Sequence, residues 1–327
     1  IRLGLHRRGG ELATSEKRLI GSTARPSTPW AARRADGGYG VTADPDWRGV
    51  DWQALLRGAE IGGRRVSYVD VGPKDAPAVV LVHGLGGQWQ NWLENIPRLA
   101  RRRRVIALDL PGFGCSEMPA GRISISSYAG CVEALLDRLE LGSVAVVGNS
   151  MGGFIASEVA IQFPRRVERL VLVSAAGITG PNVLGAPART VGRLAAITAA
   201  YTAARHRAMA KRPITRHLAL ALVARHPGRL KADLAYEGLM RGVGRPAFDD
   251  ALRACLDYDF RDRLGEISCP TLIVWGENDS ILPVRDAREF ERLIPRSRSV
   301  VMRDTGHIPQ VERPGAFNEL LEEFLDE

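Results

Sequence analysis

Val144-Ala145-Val146-Val147-Gly148-Asn149-Ser150-Met151-Gly152-Gly153 is the stretch that decides the fold. Four consecutive apolar residues read as a strand buried on both faces. Phe154 to Phe163, closed by Pro164, reads as a helix. Between them lies a glycine-rich turn carrying one serine. A serine on so tight a strand-to-helix turn must take strained backbone angles, and these lift its hydroxyl clear of the sheet. Glycines flank it because a Cβ there would collide with neighbouring backbone. The helix N-terminus beneath supplies a positive dipole end that favours developing negative charge. In a chain with 35 glycines the bare spacing is a weak signal, and its placement between strand and helix is what makes it strong.

Outward from this turn, apolar runs of strand length recur at 79–82, 105–108, 170–173, 272–275 and 299–302, and 65–69 alternates like a strand. Helical patterns at 92–100, 128–140 and 154–163 separate several of them. Strands alternating with helices predict an α/β fold with a mostly parallel central sheet flanked by helices. Between about 178 and 264 the strand signal disappears into Ala-, Leu- and Arg-rich helical sequence broken near Pro213, Pro227-Gly228 and Pro246. Some 85 residues is far beyond an ordinary crossover, so this stretch reads as an inserted helical cap. The expected organisation is an N-terminal arm (1–58), a first core part (59–177), the cap (178–264) and a second core part (265–327). The arm, to about Asp46, reads as extended or disordered, with Trp52 and its neighbours in a short helix (51–56) able to dock it.

Serine at neutral pH needs a base. Of six histidines, His206, His217 and His226 lie in the arginine-rich insertion and His6 in the arm. His307 follows the last strand, in a loop able to return to Ser150. His83 directly follows strand 79–82, in His83-Gly84-Leu85-Gly86-Gly87, where its expected task is to shape a loop whose N–H groups face an oxyanion. An acid must orient the base. In Gly276-Glu277-Asn278-Asp279, the turn aims Asp279 back toward the site and leaves Glu277 as a solvated turn residue.

Together with Asp109-Leu110-Pro111-Gly112-Phe113-Gly114-Cys115-Ser116, these segments resemble the successive motifs of the α/β-hydrolase superfamily, in its Ser…Asp…His chain order. The resemblance runs from about Ala59 to the C-terminus. It implies the α/β-hydrolase fold, with Ser150 as nucleophile, His307 as base, Asp279 as orienting acid, and the N–H groups of Leu85 and Met151 as oxyanion hole. His83 and Gly84 support that loop, and the loop 109–116 is structural, with Cys115 near the site but not in the chemistry. Haloalkane dehalogenases and epoxide hydrolases of this fold carry an aspartate where Ser150 stands, so those activities are disfavoured. No cofactor and no metal are expected. Gly84-Leu85-Gly86-Gly87 lacks the full dinucleotide fingerprint, and Cys115, Cys131, Cys255 and Cys269 lack zinc spacing.

The chain has 327 residues, 45% of them hydrophobic and 25% charged, so overall disorder and fibrous repeats are excluded. No apolar run approaches the roughly 18 residues of a membrane span. The four cysteines read as free thiols in a reducing compartment, which points to the cytoplasm, and residues 1–45 show no apolar secretory segment. Net charge is +8, and 41 of the 45 basic residues are arginines, a skew consistent with codon bias. The charge is uneven: +3 over residues 1–60, −3 over the core and +8 over the cap, where 178–232 holds ten bases and no acid. Basic amphipathic helices suit acidic substrates or peripheral contact with anionic membranes. Nucleic acid is disfavoured, since no aromatic-interleaved module is present. Oligomeric state is left open. The expected function is hydrolysis of small-molecule esters of hydrophobic acyl groups, such as monoacylglycerols. One alternative is carbon–carbon bond hydrolysis of aromatic ring-fission products, whose enzymes carry a similar Gly-Asn-Ser-Met-Gly-Gly turn. Another is a non-catalytic ligand-binding protein of the fold.

Overall fold

The computed structural model describes residues 37–179, 210–240 and 246–327. Eight strands form one sheet: β1 (Leu56–Ile61), β2 (Arg64–Val71), β3 (Ala78–Val82), β4 (Arg104–Leu108), β5 (Val144–Asn149), β6 (Val167–Val173), β7 (Thr271–Gly276) and β8 (Ser297–Met302), in the spatial order β1-β2-β4-β3-β5-β6-β7-β8. β1 and β2 pair antiparallel with their neighbours, and β4 through β8 run parallel.

The central apolar runs are explained by two-sided burial. In β3, Val80 and Val82 face one layer with Leu108, Val132, Met151 and Phe154. Val79 and Leu81 face the other with Trp92, Ile96, Phe317 and Phe324. Helices Ile125–Arg138 and Met151–Gln162 cover the first face, and the C-terminal helix Pro314–Asp326 covers the second. Each alternate residue therefore meets a core, and no polar position survives along the strand.

The chain leaves β3 toward β4 on one side and returns as β5 on the other. The carboxyl ends of β3 and β5 thus bound the crevice where the winding reverses, the place where open α/β sheets bind ligands. The loop after β3 holds His83 and Gly84, and the turn after β5 holds Ser150.

Three expectations need correction. The helix predicted over 92–100 is a 3-10 turn, Trp89–Trp92, followed by one α-turn, Ile96–Leu99. Pro97 has no N–H to donate, and Asn95 turns its amide inward to the Gln310 carbonyl and Asn318 Oδ1. β1 was not expected, because Gly58 and the charged Arg57 and Glu60 hide an edge strand in which only Ala59 is buried. It straddles the boundary drawn at residue 58. Finally, residues 37–50 do not extend away from the body. Tyr39, Ala43 and Trp47 are buried, and the Trp47 indole and Ala43 N–H both donate to the Glu94 carboxylate, at 3.0 and 2.7 Å.

The arm before residue 37 and the insertion between 180 and 209, including His206, lie outside the described residues. Described parts of the insertion are helical: Pro213–Leu220, Ala232–Leu234 running into a π-helical turn Ala235–Met240, and Phe248–Asp257. No described helix is long and apolar enough to cross a membrane, and all four cysteines are free of disulfides.

Candidate active site

Ser150 stands between β5 and helix Met151–Gln162 with φ 57° and ψ −119°, a conformation that L-residues avoid. Its backbone is held on both sides: its N–H donates to the Val173 carbonyl at 3.0 Å, and its carbonyl accepts from Ala176 N–H at 3.0 Å. The flanking glycines have steric reasons. A Cβ on Gly148 would lie 2.1 Å from the Gly152 carbonyl oxygen, and one on Gly152 would lie 2.2 Å from the Val82 carbonyl oxygen. Helix, turn and β3 can approach this closely only without side chains. Gly84 is confined likewise, since its Cβ would press against Ser150 Cβ at 3.1 Å. Ser150 is therefore gripped between the turn and the loop after β3.

His307 arrives from the loop after β8. Its Nδ1 lies 2.7 Å from Asp279 Oδ2, with both side chains almost wholly buried. The other oxygen of Asp279 accepts from the N–H groups of Ile281 and Leu282 at 2.8 and 2.9 Å, so the carboxylate cannot swing away. A carboxylate on Nδ1 selects the tautomer with the proton there and leaves Nε2 as a proton acceptor. The His307 carbonyl accepts from the Asn149 side chain at 3.2 Å, which ties the histidine loop to the residue before Ser150. Glu277 is exposed and accepts from Asp304 N–H at 3.2 Å, away from His307.

His83 has the opposite character. It is fully buried, Leu110 N–H donates to its Nε2 at 3.0 Å, and its Nδ1 donates to the Gly84 carbonyl at 2.8 Å. Burial lowers its pKa to about 4, so it is neutral and both nitrogens are engaged. It braces the loop after β3 against the loop 109–116. In that loop the Asp109 carboxylate accepts from Trp89 and Cys115 N–H groups, each at 2.8 Å. Among the described residues the N–H groups of Leu85 and Met151 donate to no backbone or side-chain acceptor. Met151 begins the helix after Ser150, and Leu85 lies one residue beyond Gly84, the glycine confined against Ser150 Cβ. The insertion closes over this loop: the side chains of Gln88 and Asn91 donate to the carbonyls of Glu237 and Gly238 in the π-helical turn. Among the described residues no cluster of three or more His, Cys, Asp or Glu could hold a metal.

Sequence reasoning missed Glu312 and Tyr39. Glu312 is fully buried, and its carboxylate collects the N–H groups of Gly306 (2.9 and 3.0 Å), Ile308 (3.2 Å) and Arg225 (2.7 Å) as well as the Tyr39 hydroxyl (2.6 Å). Gly306 and Ile308 bracket His307, so this carboxylate sets the backbone of the histidine loop. Burial pushes its carboxyl above the usual carboxylate range, against the donors that draw it down. His226, set aside in the sequence as part of the insertion, has its Nε2 2.7 Å from Asp304 Oδ2 on the same loop. A backbone-bonded glutamate leaves no spacing pattern. The only clue in the sequence was an acid ending a Pro-initiated helical turn, Pro309–Glu312.

A family profile described as alpha/beta hydrolase fold matches residues 77–314. The chain is 34% identical over 276 residues to the dihydrolipoyllysine-residue acetyltransferase component of an acetoin cleaving system from Pseudomonas putida, covering 82% of this chain and 68% of that protein. It is 33% identical over 273 residues to a 2-hydroxy-6-oxo-2,4-heptadienoate hydrolase of the same species, covering 81% of this chain and 94% of that protein. Among solved structures, a bacterial membrane phospholipase A superposes with a TM-score of 0.64 at 27% identity, covering 83% of this chain and 85% of that one.

Proposed function

From the premise that the chain belongs to the α/β-hydrolase fold family, we propose that it is a serine hydrolase cleaving carboxylic esters of hydrophobic acyl groups. The observation that carries this reading is the His307–Asp279 pair at 2.7 Å, tethered through Asn149 to a serine held at positive φ. Ser150 Oγ attacks the ester carbonyl while His307 Nε2 takes its proton, and the imidazolium is stabilised by Asp279. The Leu85 and Met151 N–H groups receive the oxyanion. His307 returns the proton to the departing alcohol, leaving an acyl group on Ser150. Water, deprotonated by His307, then releases the acid and restores the serine. No cofactor enters these steps.

The ester reading draws support from the phospholipase likeness and from the apolar, basic character of the insertion. A carbon–carbon hydrolase is favoured by one observation, the 33% identity to a 2-hydroxy-6-oxo-2,4-heptadienoate hydrolase over nearly its whole length. There the same serine and histidine would act on a vinylogous 1,5-diketone acid, with a basic group of the insertion on its carboxylate. The two readings separate in one experiment. Purified protein is assayed side by side on p-nitrophenyl esters of increasing acyl length and on such a diketone acid. The ester reading expects kcat/KM to rise with chain length and to exceed that for the diketone acid by at least about 100-fold, the discrimination a matched site achieves. The reverse order would transfer the assignment to carbon–carbon cleavage.

A further inference from the structure

Helix Pro213–Leu220 has two unlike faces. Arg216, His217, Ala219 and Leu220 are buried, with the Arg216 guanidinium donating to the carbonyls of Ala210 (2.5 Å) and Gly228 (3.1 Å). Ile214 and Leu218, one turn apart on the outer face, are 66% and 64% exposed, the most exposed large hydrophobic residues among those described. Two aliphatic side chains at i and i+4 form one continuous apolar ridge. Bases surround it. Residues 210–232 contain six basic side chains and no acid. Arg216 is committed to the helix interior and Arg225 pairs with Asp304, whereas Lys211, Arg212, Arg229 and Lys231 are exposed. Lys211 and Arg212 lead directly into the helix, and the turn Pro227–Arg229 packs against it.

An exposed apolar ridge led by the exposed cations Lys211 and Arg212, in a stretch (210–232) with no acid of its own, matches an interface that is apolar below and anionic at its surface. A soluble protein face of ordinary composition would intersperse both signs around such residues. The position of the helix gives the surface a consequence. Three residues beyond its end, the Val223 carbonyl accepts the His307 N–H at 2.9 Å. The ridge is thus joined by a short, hydrogen-bonded span to the loop that carries the histidine.

We propose that helix Pro213–Leu220, with Lys211 and Arg212, docks the protein on an anionic phospholipid surface and that its ester substrate is an amphiphile drawn from that surface. The second half of this statement rests on the ester-hydrolase reading, while the docking does not. Ile214 and Leu218 enter between headgroups, and the flanking cations meet phosphate and carboxylate charges, so attachment requires both features and weakens with salt.

The test uses full-length protein carrying Ser150→Ala, so that vesicles stay intact, and measures co-sedimentation with vesicles of phosphatidylcholine alone or mixed with phosphatidylglycerol. Docking predicts binding to the mixed vesicles at least about tenfold tighter than to phosphatidylcholine alone, and reduced at high salt. Lys211→Glu/Arg212→Glu and, separately, Ile214→Ser/Leu218→Ser should each lower that binding about tenfold while circular dichroism stays unchanged. In otherwise native protein, the same pairs should keep turnover of a soluble p-nitrophenyl ester. Equal partition into both vesicle types, no binding, or binding indifferent to both variants would overturn the proposal and leave the ridge to a protein partner. Binding as expected from a protein with no esterase activity would keep the docking and remove only the ester reading.

Discussion

Ser150 holds a backbone conformation that costs a non-glycine residue on the order of 1–3 kcal/mol, sustained by hydrogen bonds from both sides and by glycines that let three backbones converge. Such strain persists where a side chain must be presented, and here the presented group is the Ser150 hydroxyl, while the histidine bonded to Asp279 is tied through its carbonyl to Asn149, the residue before that serine. Asp279→Asn should retain the fold and lower kcat for a p-nitrophenyl ester by about 10⁴-fold, because the amide favours the wrong tautomer; a loss below tenfold would show that Asp279 does not orient the base. Glu312 acts one step back, as a positioning residue for the loop 306–308. Glu312→Gln turns an amide NH₂ toward backbone donors, and the expected result is a kcat reduced about 100-fold with KM nearly unchanged, the effect of a displaced catalytic group. A lowered melting temperature with normal kcat would make Glu312 structural only. His83 sets a pH dependence of stability. Its folded pKa, lowered to about 4, lies below the ordinary histidine value of 6.5, so between these values the unfolded chain binds a proton that the folded chain refuses. Stability is therefore lost as pH falls, by about 2 kcal/mol between pH 7 and pH 5 from this group alone. Urea titrations at the two pH values should show this drop, and His83→Gln should flatten it.

At the scale of elements, what was legible follows burial. β3, β5 and β7 could be read from sequence because every residue is buried, and β4 and β6 because their last four residues are. β1 could not, since an edge strand with one buried residue carries no hydrophobic pattern. The segment 92–100 looked helical by apolar spacing, but Asn95 and Pro97 answer to tertiary partners that spacing does not reveal. Within the site, the partnership of His307 with Asp279 was legible because proton transfer demands those residue types at loop ends. The Glu312–Tyr39 contact spans 273 residues and uses backbone amides, so nothing in its neighbourhood announces it. The same limit hid the role of residues 37–50 as part of the body. Trp47→Ala, which opens a cavity and strips the Glu94 carboxylate of the indole donor, should cost about 3 kcal/mol or more in urea unfolding. A cost below about 1 kcal/mol would mean that this segment rests on the surface without supporting it.

For the whole molecule, the sheet and the insertion divide the work. The sheet brings the loops after β3, β5, β7 and β8 to one edge, so that His83, Ser150, Asp279 and His307 all follow strand ends on that edge. Contacts that join the insertion to that edge include the Val223 carbonyl on His307, Arg225 on Glu312 and Asp304, His226 on Asp304, and the π-helical turn on Gln88 and Asn91. The +8 charge lies in this insertion and not in the slightly acidic core. All of this rests on Ser150 being an activated nucleophile. Incubation with a fluorophosphonate followed by intact-mass and peptide mass spectrometry tests that most directly. The account predicts a single adduct on the peptide containing Ser150, formed with loss of ester turnover, and absent from Ser150→Ala and slowed at least about 100-fold in His307→Ala. An unlabelled Ser150 in folded protein, or labelling that proceeds equally without His307, would contradict it.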